Sequence, residues 1–292
     1  MRKLLSSTII ILFCYTTSAQ RVHVGISGGL ANYMGDILDK LYVKKQTNGF
    51  IGLTVQYELT DQLMIRGAYN FARVNGDDRY ISKDYLKLRN LRFESIVSEF
   101  SVVGELYLFN LYEKRYSPYF FAGLAVFKFN PYTHDSALQK VYLKPLSTEG
   151  QGLSQYPSRK PYSLVQPAIP VGGGIKFAVT ENLRVGIEIG FRKLFTDYLD
   201  DVSTSYVDPA DLLAAKGQLS VDLSYRGDEL PNGDPNYPSK GTQRGGNRNK
   251  DVYYFTGLNI SYRFGGGGGS SGGFGPRASG KKSRMGCPSV PL

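Results

Sequence analysis

The sequence predicts an all-β chain folded as an eight-stranded antiparallel transmembrane β-barrel with short periplasmic turns and long extracellular loops. Three observations predict it. First, residues 183–192 alternate without an error: Leu183, Val185, Ile187, Ile189 and Phe191 share one face, and Arg184, Gly186, Glu188, Gly190 and Arg192 share the other. Period two is the mark of a strand, because successive side chains point to opposite faces. Second, seven further segments read the same way, and most exceed the usual length of globular strands and match the roughly 9–11 residues that cross a membrane at a tilt. Third, the connections alternate between tight and long, as in outer-membrane barrels. Taken alone, residues 183–192 would also fit a soluble sheet with one wet face; the length and spacing of the other segments select the barrel.

The ends fix the domain organisation. Arg2 and Lys3 precede a mostly apolar stretch over 4–15, too short to span a bilayer, and Thr17-Ser18-Ala19 supplies small residues before Gln20. Residues 1–19 therefore read as a secretory signal peptide. Cys14 falls inside it, and the bulky Phe13 before it argues against a lipidation site. Cys287 is the one other cysteine, so no disulfide staples the exported chain. Residues 20–264 form the barrel, and residues 265–292 form a flexible Gly-rich basic tail carrying Arg277, Lys281, Lys282 and Arg284. The net charge of +10 falls by two when Arg2 and Lys3 are removed. An exported protein has no nucleic acid to meet, so the basic balance points to solvent, anionic headgroups or an acidic partner. Tyr 22 and Phe 16 with Trp 0 suit sheets and interfacial girdles.

In chain order the strands fall at 23–30, 50–59, 62–74, 96–109, 116–129, 168–179, 183–195 and 251–264. The tight connections are 60–61, 110–115 and 180–182; the long ones are 31–49, 75–95, 130–167 and 196–250. An even strand number puts both ends on the short-turn, periplasmic side. Outward apolar residues alternate with an inward charged set of Arg66, Lys176, Arg184 and Arg192 against Glu99, Glu105 and Glu188. Eight strands enclose room for side chains and little else, so these charges predict a packed ion-pair network rather than a channel. The triple Gly172-Gly173-Gly174 lies within a strand, where it admits a bulky interior residue and is no phosphate loop.

The last strand ends Gly257-Leu258-Asn259-Ile260-Ser261-Tyr262-Arg263-Phe264. Gly257, Ile260, Tyr262 and Phe264 resemble the C-terminal signal read by the barrel-assembly machinery during biogenesis. Such strands usually close the protein, whereas here the tail follows.

Long loops are where barrels carry function. They hold Gly35-Asp36, Gly76-Asp77-Asp78, Arg89-Asn90, the stretch over 145–152 with Pro145, Thr148, Glu149, Gly150, Gln151 and Gly152, and the stretch over 196–203 with Thr196, Asp197, Tyr198, Asp200 and Asp201. Together these motifs resemble the PorG-like family of Bacteroidetes outer-membrane proteins, from about Gly25 to Phe264. The resemblance implies a small outer-membrane barrel of the type IX secretion system, which also supports gliding in many members. It implies association with a periplasmic ring built from a PorK-like lipoprotein and its PorN-like partner. The tail lies outside the resemblance.

Two chemistries compete with that non-enzymatic reading. A lipase-type triad would need a histidine beside a serine, and His134-Asp135-Ser136 offers only sequence neighbours, a poor geometry. His23 reads as a barrel or rim residue. Asp197, Asp200 and Asp201 are weak calcium candidates by ligand type, but no EF-hand spacing surrounds them. Pairing of Asp200 and Asp201 with Arg79, Arg89 or Arg92 is the structural alternative. No cofactor is expected. The expected partners are outer-membrane lipid, the ring proteins and the assembly machinery; the alternative function is an adhesin or stability-type barrel whose loops bind a ligand.

Overall fold

Each alternating run becomes a strand, and each strand pairs antiparallel with its neighbour until the sheet closes. The computed structural model describes residues 21–246 and 250–264. The expected signal peptide, the tail, Cys14 and Cys287 lie outside the described residues. The barrel strands are β1 (Val22–Met34), β2 (Asn48–Glu58), β3 (Leu63–Asp77), β4 (Arg92–Tyr107), β5 (Tyr116–Lys128), β8 (Val165–Ala178), β9 (Leu183–Leu194) and β10 (Val252–Phe264). Their ring order is β1-β2-β3-β4-β5-β8-β9-β10 and back to β1, so the eight predicted strands form a closed antiparallel barrel.

The tight turns share a local device. Thr60 Oγ1 accepts from the Leu63 backbone N–H at 3.0 Å, and Thr180 Oγ1 does the same for Leu183 at 2.9 Å. A threonine three residues before the next strand thus satisfies a donor that the tight turn leaves open.

The wall is inside out relative to a soluble protein. Ile51, Leu53, Phe120 and Leu124 are exposed on the outer face, Leu124 by 72%. In between, Glu99, Glu105 and Lys176 are completely buried in the lumen. A continuous apolar belt of this extent is unsuited to water and matches hydrocarbon.

At the seam between first and last strands, pairing runs from Val22↔Phe264 to Met34↔Val252, with Gly29 opposite Gly257. A Cβ on Gly29 would stand 2.3 Å from the Thr256 carbonyl oxygen, so only glycine permits this approach.

Several boundaries differ from the sequence reading. β1 runs to Met34 rather than 30, β3 to Asp77 rather than 74, β4 starts at Arg92 rather than 96, and β8 starts at Val165 rather than 168. At the top of β1 the alternation ends but pairing with β10 continues, because loops cover the outer face as well: Ala31, Asn32 and Tyr33 are all buried, as are Tyr253, Tyr254 and Phe255 opposite them. The third long loop is not featureless. It holds a hairpin, β6 (Pro131–His134) and β7 (Lys140–Tyr142), hung on β4 through Glu94↔Tyr132. Helices also occur in the loops: α1 (Asp84–Lys87), α2 (Pro209–Lys216) and α3 (Gln218–Ser224).

All four long loops fold over one barrel mouth. Their apolar residues merge with the upper barrel in a single core that includes Tyr33, Leu38, Phe93, Phe127, Phe129, Leu143, Tyr162, Leu199, Val202 and Tyr253. The result is a packed dome.

Candidate functional site

The lumen and the dome hold the polar residues singled out in the sequence. In the lumen, Arg192 grips Glu99 with two donors, at 3.0 and 3.2 Å, and the same carboxylate accepts from Tyr253 at 2.6 Å and Asn70 at 2.9 Å. Arg66 Nη1 donates to Glu188 Oε2 at 2.7 Å, which also accepts from Tyr119 at 2.6 Å. Arg66 Nε lies 3.0 Å from Glu105 Oε1 without hydrogen-bond geometry, so that contact is coulombic. Lys176 Nζ stands 3.6 Å from Glu105 as a coulombic partner, and Glu105 Oε2 accepts hydrogen bonds from Tyr107 at 2.7 Å and Gln56 at 3.5 Å. Arg184 reaches Glu58 at 2.7 Å, a partner the sequence reading left out. Glu58 also binds His23 at 2.9 Å and Tyr112 at 2.7 Å, forming a floor at the turn end. Its signal was present: Glu58 shares the inward parity of Gln56 and Thr54 in β2. With Glu58 the four cations meet four carboxylates.

Little space remains. Phe121 lies against Gly172 and Gly190, where a Cβ would come within 2.6 and 2.7 Å of its ring, and Arg66 stacks over the same ring at 4.9 Å. The void among Arg66, Phe121, Glu188 and Arg192 measures ≈ 10 Å³, at most one water.

In the dome, the two longest sequence motifs come together. Thr148 donates to Asp201 Oδ2 at 2.5 Å, and Tyr162 donates to Asp201 Oδ1 at 2.7 Å. Glu149 accepts from the Ser203 N–H at 3.0 Å, from Thr204 Oγ1 at 2.6 Å and from Arg244 at 3.1 Å. Gly150 and Gly152 adopt φ of 75° and 80°, which turns the 145–152 stretch back onto this carboxylate. Pro145 opens a one-turn 3-10 helix, Lys144–Leu146, beneath it, and Gln151 Oε1 accepts from the Glu149 N–H at 3.1 Å. Tyr198 Oη donates to Glu149 at 3.3 Å, and Thr196 Oγ1 accepts from the Tyr198 N–H at 3.2 Å.

The shorter motifs brace this unit. Asp36 accepts from the Gly246 N–H at 2.9 Å, and Asp78 takes Arg89 at 2.6 Å together with the Leu91 N–H at 2.9 Å. Asp77 binds Arg79 at 2.6 Å, and Asn90, at φ 54°, donates to the Arg226 carbonyl at 3.0 Å. Gly35 and Gly76 lie against Tyr33.

The expected pairing of Asp200 and Asp201 with Arg79, Arg89 or Arg92 does not occur. Those arginines bind Asp77, Asp78 and the His134 carbonyl instead. Asp200 takes the Tyr33 hydroxyl at 2.5 Å and the Val202 N–H at 2.9 Å. The cation near Asp201 is Arg244, which donates to its carbonyl at 2.7 Å. No sequence signal marked Arg244. Asp251, also missed, accepts from the Leu199 N–H at 2.9 Å and shares Tyr33 at 3.2 Å.

Burial governs the electrostatics here. It pushes the Asp201 and Asp78 carboxyls up to about 6 despite Arg244 and Arg89 beside them. It does the same for Asp197, also to about 6, against its bond from Ser203. Asp200 and Asp251 are held well above the usual carboxylate range, first by burial and then by neighbouring carboxylates. Burial opposes the charge on Arg244, but Glu149 and Asp201 overcome it and hold the guanidinium above its ordinary value. The three calcium candidates point at separate protein donors, and among the described residues no three metal-ligating side chains converge. His134 lies 4.0 Å from Glu94 and edge-on to Tyr132, and Asp135 accepts from the Gln139 N–H at 2.8 Å, so two of the three triad candidates are engaged elsewhere.

The dome's outer face carries a groove of ≈ 680 Å³ between Asp36, Tyr85, Arg89, Ser203, Gln243 and Gly245. Along β10, Gly257 packs on Phe50, while Ile260, Tyr262 and Phe264 stand on the outer wall toward the turn end.

Residues 2–214 match the family described as a domain of unknown function, DUF6089. No curated protein matches the chain. Among solved structures, the chain is similar to neisserial surface protein A (TM-score 0.40, 8% identity, 83% of this chain and 97% of that one). It is similar to the attachment invasion locus protein Ail of Yersinia pestis, solved with the heparin analogue sucrose octasulfate (0.40, 10%, 84% and 98%). The outer membrane protein OprG of Pseudomonas aeruginosa gives 0.39, 11%, 84% and 97%.

Proposed function

The chain belongs to the DUF6089 family, and from that premise we propose that it is a non-enzymatic outer-membrane component of type IX protein secretion. Its role is to anchor or organise a periplasmic ring of a PorK-like lipoprotein and a PorN-like partner, and in gliding cells to support that machinery too. The observation that carries the reading is that the stretches over 145–152 and 196–203, which resemble the PorG-like family, lock together through Thr148–Asp201 and Glu149–Ser203 above a filled lumen. A barrel with a ≈ 10 Å³ interior void passes no substrate, which favours an anchor over a conduit. Under this topology the short turns face the periplasm, and the longest of them, 108–115, is the ring-facing contact with Tyr112, Glu113, Lys114 and Arg115.

Affinity purification from native membranes in mild detergent recovers the ring lipoprotein on this reading, and its absence overturns it. Deletion of the gene blocks release of type IX cargo; normal secretion would count equally against it. A second reading, a surface-binding barrel of the adhesin type, draws on the ≈ 680 Å³ groove, whose exposed Tyr85 stands beside polar Ser203 and Gln243. A Tyr85→Ala variant that leaves secretion intact but abolishes surface attachment would favour it.

A further inference from the structure

Three strands that rise toward the long loops carry a cation near the upper end of their outward apolar series, with Phe195 alone following it in β9. In β3 the outward series Leu63, Ile65, Tyr69 and Phe71 ends on Arg73; in β5 Phe120, Leu124 and Val126 lead to Lys128; in β9 Ile187, Ile189 and Phe191 lead to Lys193. All three cations are exposed. Arg73 lies opposite Ile96 of β4 and Lys128 opposite Ser98, so the two sit within two residues of one level, about 7 Å along that strand. Among the described residues Lys128 and Lys193 make no ion pair, and Arg73 has only Glu94, at 3.7 Å. On the β10 side the first long loop folds down over the outer wall, where Tyr254 donates to the Leu41 carbonyl. It brings exposed Lys44 and Lys45 beside exposed Leu41 and Tyr42.

The other end of the barrel lacks this pattern. There Leu59, Leu106, Tyr116, Val179, Tyr262 and Phe264 carry the outer wall to its border. The charges sit in the turns and balance: Arg21, Lys114 and Arg115 against Asp61, Glu113 and Glu181. Cationic side chains can lay their stems along apolar wall and lift their charge to a headgroup layer. Such placement at one border alone selects an anionic layer on that side.

We propose that Arg73, Lys128 and Lys193, with Lys44 and Lys45, form a collar that binds the phosphate groups of lipid headgroups in the leaflet around the long loops. This rests on the membrane-embedded part of the function proposed above but not on the secretion role. A lipid with two phosphates on one headgroup can bridge neighbouring cations of the collar, and each contact is worth on the order of fivefold in affinity.

The test uses the full chain in phosphatidylcholine nanodiscs containing lipid A that carries either two phosphates or none, with lipid A retained per barrel after mild extraction as the readout. The wild type is expected to prefer the phosphorylated lipid by tenfold or more, on the order of two such contacts. The Arg73→Gln/Lys128→Gln/Lys193→Gln variant is expected to lose that preference. An Arg21→Gln/Lys114→Gln variant, which removes two cations at the turn end, is expected to keep it. Equal retention of both lipids by the wild type, an unchanged preference in the collar variant, or an equal loss in the turn-end variant overturns the proposal. Should the triple variant fail to fold, Lys128→Gln and Lys193→Gln singly are each expected to lower the preference severalfold, and no change in either overturns it. The readout involves no ring protein, so its failure is distinct from failure of the secretion role.

Discussion

The lumen and the dome are both tightly filled, yet they are held in opposite ways. The lumen is packed with charge: Arg66, Lys176, Arg184 and Arg192 against Glu58, Glu99, Glu105 and Glu188, with hydroxyls of Tyr107, Tyr112, Tyr119 and Tyr253 donating to the same carboxylates. The dome is packed with aromatic and aliphatic side chains and pinned by a few buried carboxylates that hold backbone N–H groups. The difference follows from what surrounds each part. Where lipid takes the outer face, the polar residues can only go inside. Where loops cover both faces of the strands, a hydrophobic core forms as in a soluble protein.

The comparison breaks most sharply at the lumen. Glu99→Leu strands Arg192 with no counter-charge and is expected to cost about 3–5 kcal/mol, while Glu99→Leu with Arg192→Met regains most of it; denaturant unfolding in detergent reads both. Equal loss in the single and double variants would mean that the pair contributes packing rather than charge balance.

Arg244→Met attacks the dome. It removes donors to Glu149, the Asp201 carbonyl and the Ser224 carbonyl, and costs about 2–4 kcal/mol locally. Cleavage near Asn232-Gly233 by added protease should rise sharply while the barrel's unfolding midpoint stays put. A matching fall in that midpoint would show the two regions to be one cooperative unit.

Acidity separates them further. Asp78, Asp197 and Asp201 sit at about 6 in the folded dome against an ordinary 3.8. Raised carboxyls bind protons more tightly when folded, so their contribution is full below pH 4 and is lost as pH rises through 6. Hydrogen-exchange protection in the dome, taken relative to the intrinsic exchange rate at each pH, should therefore fall between pH 4 and pH 6, and Asp201→Asn should flatten that dependence. A dome that tightens over the same interval refutes the assignment.

Smaller effects sharpen the boundary. Tyr33→Phe removes the hydroxyl shared by Asp200 and Asp251 and should cost about 1–2 kcal/mol. Lys87→Ala breaks an exposed pair with Asp84 and should leave stability unchanged within error.

The barrel was readable because lipid enforces alternation, and every strand in the belt obeys it. Residues 31–34 were harder, since burial on both faces erases the period-two signal that defines a strand, whereas 252–255, equally buried, were carried by the alternation of the strand that follows them. Helix α2 left a signature that length alone obscured: Asp208 caps the Ala210 N–H at 2.9 Å, Pro209 opens the helix and Gly217 closes it. The lumen network needed only parity, which also identifies Glu58. The dome lock could not be paired from sequence, because Glu149 and Arg244 meet across 95 positions and nothing local marks either as the other's partner.

The seam between β1 and β10 has a consequence for how the chain comes into being. Val22 meets Phe264, so the first strand must wait for the last before either gains its second neighbour. Until then the nascent sheet has two open borders, and each will accept any extended chain offered to it. The close-set pair Gly29 and Gly257 presents no side chains to snag as those borders slide together. The final dozen residues of the barrel thus act as the clasp of a necklace: whatever holds the open ends apart must let go only when Phe264 has arrived.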